Sequence, residues 1–420
     1  MQPIFNEMIK MWSDLGFVLP ITEGSYWLDN GFIKAFSSDG EIHKLYKYKV
    51  NDDLTINIAK HKDFTEFTPE AWSETVARLS PKLDLKVEES LSVISDTVSK
   101  YKGYDFFVMT STGKDSMVTL DLVQKILPNV RVVFNNTSLD VADTYKMVRG
   151  HENWEITNPK EGFYGWIKRM NYIPNRVNRG CCVIFKERNS IKYLSSYEKL
   201  IQFMGIRNNE SNSRADRDYI THNPKWGNKE WFGCLPIRKW DEFDVWLYIL
   251  SNHLEINPKY RKGYHRCGCA IACPYASKTT WVLDKYWYPN LRARFEDILR
   301  EDFLQNKRWS QVNCTLAEYI RDGWSGTLYR PEPTDEVVEE LMKYKGIADK
   351  AVALKYFNKT CIACGKNVRQ NDVLAMNLKL CGRNADKIYC KKCLMRELNI
   401  SQTTWDEKIQ EFKSQGCDLF

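Results

Sequence analysis

The chain has 420 residues, of which 43% are hydrophobic and 27% are charged, close to the average of globular proteins. This composition excludes disordered, collagen-like and low-complexity proteins, and at about 100–200 residues per domain the length predicts two to four domains. Basic residues exceed acidic ones by a net charge of +7, which permits a nucleotide or nucleic-acid partner without requiring one.

Neither a membrane span nor a secretory signal is predicted. No uncharged apolar run approaches the ~20 residues that a membrane helix needs, and the start MQPIFNEMIKMWSDLGF lacks the basic-then-apolar order of a signal peptide. We therefore expect a cytoplasmic protein in a reducing environment. There, 13 cysteines indicate metal, cluster or redox chemistry rather than a disulfide framework.

The first 100 residues predict an N-terminal accessory domain in which we find no chemical motif. An aromatic stretch comes first and is followed by the β-prone segment 43–64. From about Pro81, apolar residues recur at mostly helical spacing. We expect this domain, residues 1–100, to end in a helix.

Residues 101–290 predict an α/β domain with a parallel sheet. Short runs rich in β-forming residues flank a segment of helical periodicity, and strand, helix and strand within about 30 residues form the βαβ pattern. The predicted strands are Tyr104–Met109, Arg131–Asn135 and Leu200–Ile206, and the predicted helices run from Leu120 to Leu127 and from Trp240 to Leu250. Residues 291–345 predict a helical extension.

The segment Thr110–Ser116, TSTGKDS, lies between a predicted strand and a predicted helix. A glycine here lets the backbone approach a phosphate, while the first N–H groups of the helix and its positive dipole end face the anion. The candidate nucleotide-binding residues are Ser111, Thr112, Gly113 and Ser116, and the candidate catalytic residues are Lys114 and Asp115. Asp115 is also a candidate partner for Mg²⁺. The segment is not a Walker A motif, and an ordinary helix cap rich in Ser and Thr is the alternative.

The residues STGKDS resemble the SGGKDS loop of the PP-loop ATP pyrophosphatases, the adenine nucleotide alpha hydrolase group, and more narrowly the phosphoadenosine phosphosulfate (PAPS) reductase family. Three further motifs follow in that family's order: GIRNNESNSR at 205–214, LPIRKWDEFDV at 235–245 and NPKYRKGYHRCGCAIACP at 257–274. The DTG-like turn of the family is replaced by NTS at 136–138, which keeps only the threonine, Thr137.

This resemblance implies that an adenosine nucleotide, ATP or PAPS, is the substrate. It assigns catalytic roles to Arg207 and Arg214, whose planar guanidinium groups suit phosphate or sulfate oxyanions. The nucleotide-binding residues that it adds are Thr137, Lys186, Glu210 and Ser211. Two surface arginines after a strand are the structural alternative.

Two groups of cysteines lie about 85 residues apart, one in RGCCVIFK and one in HRCGCAIACP. Thiolates are suitable ligands for iron–sulfur clusters or zinc. The cluster-binding branch of the PAPS reductase family is similar, which implies a [4Fe–4S] cluster with the ligands Cys181, Cys182, Cys269 and Cys273. The spacing departs from the family's GCxxC, so Cys267 is an alternative to Cys269. Zinc in the same site and free buried cysteines are alternatives to the cluster.

The tail, residues 346–420, predicts a zinc-ribbon-like module. Its two CxxC pairs are Cys361 with Cys364 and Cys390 with Cys393, a spacing typical of a structural four-cysteine Zn²⁺ site. A second iron–sulfur site is the alternative. Dense lysines and arginines leave contact with nucleic acid open. Cys417 lacks the glutamate–Cys–Gly context of the catalytic cysteine in assimilatory PAPS reductases.

Three functions are compatible with these motifs. The first is a PAPS-reductase-family enzyme that reduces a sulfonucleotide or cleaves ATP at the α-phosphate during sulfur transfer. The second is a sulfur transferase acting on nucleic acid, since branches of the family in DNA phosphorothioation and tRNA thiolation look similar. The third is a non-catalytic nucleic-acid binder, against which the intact STGKDS loop argues. An electron or sulfur donor protein is an expected partner, and no membrane partner is expected.

Overall fold

The computed structural model describes residues 1–176, 178–210, 217–222, 229–269, 271–305, 313–326, 333–354, 356–357, 359–368, 371–381, 388–415, 417 and 419. The chain forms two compact units, residues 1–170 with 179–292 and residues 171–178 with 293–420. The predicted division into four domains stays a prediction, because one compact unit can contain more than one domain. Within the described ranges, no helix combines the length and the apolar character that crossing a membrane requires.

An antiparallel sheet of five strands occupies the first 60 residues, in the order β1-β2-β3-β4-β5. Its strands are β1 (Gln2–Pro3), β2 (Tyr26–Asp29), β3 (Phe32–Phe36), β4 (Ile42–Val50) and β5 (Ile56–Lys60). Helix α1 (Asn6–Asp14) buries Met8 and Trp12 in the same apolar cluster as Ile33 and Tyr46 of the sheet. The same cluster includes Tyr264 and Leu283, so the aromatic, β-prone start of the sequence packs against later segments of the first unit.

Helix α2 (Trp72–Lys100) begins before Pro81, where the apolar spacing predicted its start. The Glu74 carboxylate accepts a hydrogen bond of 2.7 Å from the Ala71 N–H and so caps the first turn. Pro81 has no N–H to donate to the Ala77 carbonyl. The Ser80 hydroxyl donates to that carbonyl at 3.1 Å instead, and the helix continues through the proline.

The second sheet is the α/β core that the sequence predicts, in the order β10-β11-β9-β6-β7-β8. Its strands are β6 (Asp105–Thr110), β7 (Arg131–Asn135), β8 (Trp154–Thr157), β9 (Lys199–Phe203), β10 (Ile220–Thr221) and β11 (Glu230–Cys234). All neighbouring pairs are parallel except β10 with β11. The predicted fold class is confirmed, and the strand predicted at Leu200–Ile206 is shorter than expected.

Helices surround this sheet in the first unit. They are α3 (Lys114–Ile126), α4 (Ala142–Arg149), α5 (Phe163–Met170), a π-helix (Cys182–Arg188), α6 (Asn189–Leu194), α7 (Glu242–Ser251), α8 (Pro258–Arg261) and α9 (Lys278–Trp287). Val118 and Val123 of α3 and Trp246 of α7 are fully buried in one apolar cluster with Val108 of β6. This packing fixes the start of α3 at the end of β6.

The second unit begins within α10 (Pro289–Gln305) and is largely helical. Its further helices are α11 (Leu316–Arg321), α12 (Asp335–Lys345), α13 (Lys350–Leu354), α14 (Asn371–Cys381), α15 (Lys391–Glu397) and α16 (Gln402–Ser414). A two-stranded hairpin, β12 (Lys359–Thr360) with β13 (Asn367–Val368), precedes α14. Trp405 and Phe412 of α16 pack with Leu394 of α15 in a small core.

Candidate nucleotide and cluster site

The candidate site lies where the strand order reverses. From β6 the chain adds β7 and β8 on one side of the sheet, and it then returns to place β9 on the other side of β6. In such sheets, ligands bind outside the carboxyl ends of the strands at this switch point. The STGKDS loop, residues 111–116, follows β6, and the predicted arginine motif follows β9, so both reach this edge.

Hydrogen bonds within the STGKDS loop hold its backbone. The Thr110 hydroxyl accepts the Thr112 N–H at 3.0 Å, and the Ser116 hydroxyl donates to the Gly113 carbonyl at 2.8 Å. The Lys114 N–H, at the start of α3, donates to the Tyr260 hydroxyl at 2.9 Å. Thr112 and Ser116 are buried. The hydroxyls of Thr112 and Ser116 thus have hydrogen-bond partners inside the protein. Their assignment as contacts to a ligand stays a prediction.

The backbone just after β9 lies very close to the backbone in the first turn of α3. A Cβ added to Gly205 would lie 2.7 Å from the Ser116 amide nitrogen and still nearer to the Asp115 carbonyl carbon and oxygen. Real Cβ atoms are not found at such distances. Glycine is therefore required here by space, and it brings Arg207 beside the STGKDS loop.

Buried charges converge on the same edge. The Lys114 ammonium lies 3.2 Å from the Asp115 carboxylate and 3.3 Å from the Glu242 carboxylate, and Arg207 forms an ion pair with Asp115. Lys114 and Arg207 are only 5% and 6% exposed. Burial alone lowers the pKa of Arg207, but the Asp115 carboxylate raises it overall. Arg207 therefore stays charged, and both cations lie beside the first turn of α3.

Of the other predicted residues of the arginine motif, Glu210 lies 4.0 Å from the Arg207 guanidinium. Ser211 and Arg214 lie outside the described residues. Glu242 escaped the sequence analysis, although it lies inside the LPIRKWDEFDV motif. The feature of the sequence that could have indicated Glu242 is its position directly after Asp241, the residue whose carboxylate caps α7.

A cavity of about 320 Å³ opens at the carboxyl ends of β6, β7 and β9. Met109, Phe134 and Leu194 supply apolar walls, and Thr137 and Lys186 are among its polar lining residues. The Thr137 hydroxyl donates to Asp140 at 2.9 Å, and burial raises the pKa of this carboxyl group. A small-molecule site typically has this size and mixed lining.

The adjacent cysteines lie at the start of an irregular helix. A π-helix runs over Cys182–Arg188, and the Asn135 side chain ties it to the end of β7 by donating to the Phe185 and Lys186 carbonyls at 3.1 and 3.0 Å. Two adjacent cysteines need a local distortion of the backbone to face one centre. A π-helical turn, a form common at functional sites, provides such a distortion.

Cys181 lies within electrostatic range of Cys182, Cys269 and Cys273. The Cys269 thiolate raises the pKa of Lys186, and Cys182 and Cys273 act in the same direction. The hydrogen bond with Cys182 raises the pKa of Cys181, and burial, Cys182, Cys269 and Cys273 raise it further. The thiols near Lys186 and the π-helical turn are compatible with a cluster at this edge, whereas among the described residues the four thiols of the tail are the group compact enough to hold a single ion. The ligand set stays a prediction.

Cys267, the alternative ligand, faces elsewhere. Its buried thiol donates to the Ser111 carbonyl at 3.3 Å and lies 3.8 Å from the Thr112 hydroxyl oxygen. The Cys267 thiol therefore contacts the STGKDS loop, whereas Cys269 is the cysteine of this segment that lies beside Lys186. Cys269 has a left-handed backbone with φ of +51°.

The tail cysteines form a compact four-thiol group. The sulfurs of Cys361, Cys364, Cys390 and Cys393 all lie within 4.8 Å of one another, and those of Cys364 and Cys390 are 3.7 Å apart. A tetrahedron with Zn–S bonds of about 2.3 Å has edges of about 3.8 Å. Burial raises the pKa of Cys361, but backbone N–H groups, first that of Cys390, lower it overall to about 6. The donor set fits Zn²⁺.

The fold and this edge define an α/β domain with a nucleotide-type cleft at a topological switch point. Residues 105–274 match the phosphoadenosine phosphosulfate reductase domain. This match falls on the part of the chain where the motifs predicted a resemblance to the PAPS reductase family. An uncharacterized protein of Methanocaldococcus jannaschii is 33% identical over 226 residues, which are 52% of this chain and 46% of that protein. An adenosine 5'-phosphosulfate reductase of Lysinibacillus sphaericus is 25% identical over 49% of this chain and 88% of the enzyme.

The chain spans 46% and 60% of two M. jannaschii relatives. Among solved structures, the PAPS reductase of Candida auris is 20% identical, with a TM-score of 0.36 over 49% of this chain and 98% of that one. The U34-tRNA thiolase NcsA of Methanococcus maripaludis, solved with its [4Fe-4S] cluster, is 16% identical, with a TM-score of 0.32 over 50% and 75%. Because these scores are low, the fold assignment rests on the strand order.

Proposed function

We propose that this chain is an enzyme that binds ATP through the STGKDS loop and cleaves it at the α-phosphate to activate an acceptor for sulfur transfer. The observation that carries the proposal is the meeting of three features at one sheet edge. These are the loop at the start of α3, the buried cations Lys114 and Arg207, and the thiols beside Lys186. They unite anion binding with soft-ligand chemistry in one cleft.

The chain's own residues would divide the work as follows. The cleft between Met109 and Phe134 would hold the adenosine, and the loop N–H groups with Lys114 and Arg207 would stabilise charge on the phosphates. Asp115 and Glu242 lie next to these cations. Such carboxylates suit a Mg²⁺ ion that arrives with the nucleotide. The acceptor would take the adenylyl group, with pyrophosphate as the leaving group.

Cys181, Cys182, Cys269 and Cys273 would hold the [4Fe–4S] cluster. Such a cluster supplies electron transfer or a binding site for sulfur, tuned by nearby charges such as Lys186. The four-thiol group of the tail would hold a structural Zn²⁺. We also propose nucleic acid as the acceptor, because the tail module is rich in lysine and arginine, and a protein as the sulfur or electron donor.

Sulfonucleotide reduction is the second candidate, favoured by the similarity to adenosine 5'-phosphosulfate reductases over most of their length. One feature of the chain counts against it. Cys417, the cysteine nearest the C-terminus, packs beside the apolar core of the tail module, and its N–H donates to the Phe412 carbonyl at 3.1 Å. It also lacks the sequence context of a catalytic tail cysteine.

The test is incubation of anaerobically reconstituted protein with labelled ATP, adenosine 5'-phosphosulfate or PAPS, with and without DNA or tRNA. Release of pyrophosphate from ATP supports the proposal, and release of sulfite supports the second candidate. No turnover together with tight nucleic-acid binding indicates a non-catalytic binder and contradicts both. The double substitution Lys114→Ala, Ser116→Ala should abolish turnover. Lys125→Ala, at the far end of α3, is the matched control.

A further inference from the structure

Thr112 has an unusual backbone for its residue type. Its φ is +57°, in the left-handed region that a β-branched side chain rarely adopts. The similar SGGKDS loop has glycine at this position, and glycine adopts this conformation without steric cost. A threonine in this place needs contacts that hold it there.

The Thr112 side chain has such contacts. It is fully buried, and its hydroxyl donates to the Ser111 carbonyl at 2.6 Å. The same oxygen accepts a hydrogen bond of 2.7 Å from the Asn257 amide. The hydroxyl therefore faces the protein interior, and its hydrogen-bonding capacity is used on both sides.

Asn257 is itself fixed from three directions. It is fully buried, its amide also donates to the Thr144 hydroxyl of α4 at 3.0 Å, and its carbonyl oxygen accepts the Lys259 N–H at 3.0 Å. This last bond caps α8. Hydrogen bonds to α4 and to the start of α8 thus hold the Asn257 side chain in the orientation in which its amide reaches Thr112.

We infer that Asn257 is a positioning residue that holds Thr112 in its left-handed conformation and so fixes the STGKDS loop for phosphate binding. The inference rests on the proposed function only in naming the ligand, ATP. In this chain the Asn257 amide holds a threonine at the position where the similar loop has glycine. A glycine at residue 112 would need no such hold, which gives the inference a specific test.

The test measures ATP affinity by calorimetry in the full chain. Asn257→Ala should weaken binding about tenfold, which corresponds to ~1.4 kcal/mol. Thr112→Val keeps the branched side chain but removes the hydroxyl, and it should show the same loss. In a Thr112→Gly background, Asn257→Ala should change affinity less than about twofold, since no strained residue remains to be held. Thr144→Val removes the other acceptor of the same amide and is the matched control.

Hydrogen exchange of residues 110–117 without ligand gives a readout that is independent of the nucleotide. Asn257→Ala should speed this exchange, and Thr144→Val should not. If the native chain binds no ATP, the proposed function fails while the exchange result still decides this inference. Unchanged affinity and exchange in Asn257→Ala, or an equal loss of affinity in the glycine background, would overturn it.

Discussion

Arg207 and Lys114 are cations that the protein buries beside carboxylates at the end of the STGKDS loop. Taking such charges out of water is costly unless they are paired, and removing one partner leaves the other uncompensated. Arg207 is paired with Asp115, and Asp115 also faces Lys114. The same ion pairs therefore stabilise this edge of the sheet and hold the two cations that would bind an anion.

The substitution Arg207→Ala should weaken both functions of that network. We expect ATP affinity to fall at least about tenfold, and the free energy of unfolding to fall by about 1.5–3 kcal/mol because Asp115 loses one of its two cationic partners. Calorimetry and chemical denaturation measure the two effects. Arg131→Ala is the control, since Arg131 pairs with Glu155 at 2.8 Å at the opposite, amino end of β7. Equal losses of affinity in both variants would contradict the assignment.

Single residues also show where sequence reasoning reached its limit. The order of strand, loop and helix identified STGKDS, because that pattern depends only on neighbours in the chain. It did not indicate that the hydroxyls of Thr112 and Ser116 turn inward. Their partners include Asn257, which lies 145 residues away. Contacts at such sequence distances leave no periodic signal.

At the scale of elements, the same limit applies to α2. Apolar spacing predicted a helix from about Pro81, whereas the helix begins at Trp72. The true start depends on the Glu74 cap, and passage through the proline depends on the Ser80 hydroxyl. The π-helix at Cys182–Arg188 is likewise set by contacts with the end of β7. Strands β6 and β7 were predictable because each contains a continuous run of apolar residues.

Just before α2 lies a buried carboxylate, Glu70, whose charge gives a pH-dependent stability. The Arg78 guanidinium donates two hydrogen bonds, of 2.9 and 2.7 Å, to Glu70, which is 7% exposed. These bonds lower the pKa of Glu70 below 4.5. The folded state therefore binds the proton less readily than the unfolded state, and this stabilisation is complete above pH 4.5 and is lost as pH falls through the folded pKa.

Glu70→Gln should accordingly lower the free energy of unfolding at pH 7, by about 1–3 kcal/mol for a charge-assisted pair. The difference from the native chain should shrink as the pH falls below 4.5. Denaturation curves at a series of pH values measure this. Glu88→Gln, at an exposed position of α2, should follow the native curve. A Glu70→Gln difference that is constant with pH would show that the carboxylate charge is not the cause.

At the scale of the whole molecule, the chain should contain two metal centres of different kinds, one in each compact unit. Cys273→Ser should remove iron and the brown absorbance but retain one zinc per chain. Cys364→Ala should remove the zinc and retain the iron, because its sulfur belongs to the four-thiol group of the tail. Metal analysis of anaerobically purified protein tests both. Loss of both metals in either variant would contradict two separate centres.

Gly205 has a consequence for how this chain can change over generations. The start of α3 and the segment that follows β9 approach each other so closely at Gly205 that even one methyl group has no room. A saturation library at this codon, selected for ATP binding, should return glycine almost alone, while the exposed codon for Glu88 should tolerate many residues. Selection for ATP binding would thus strongly restrict a position that has no side chain and takes no part in the chemistry.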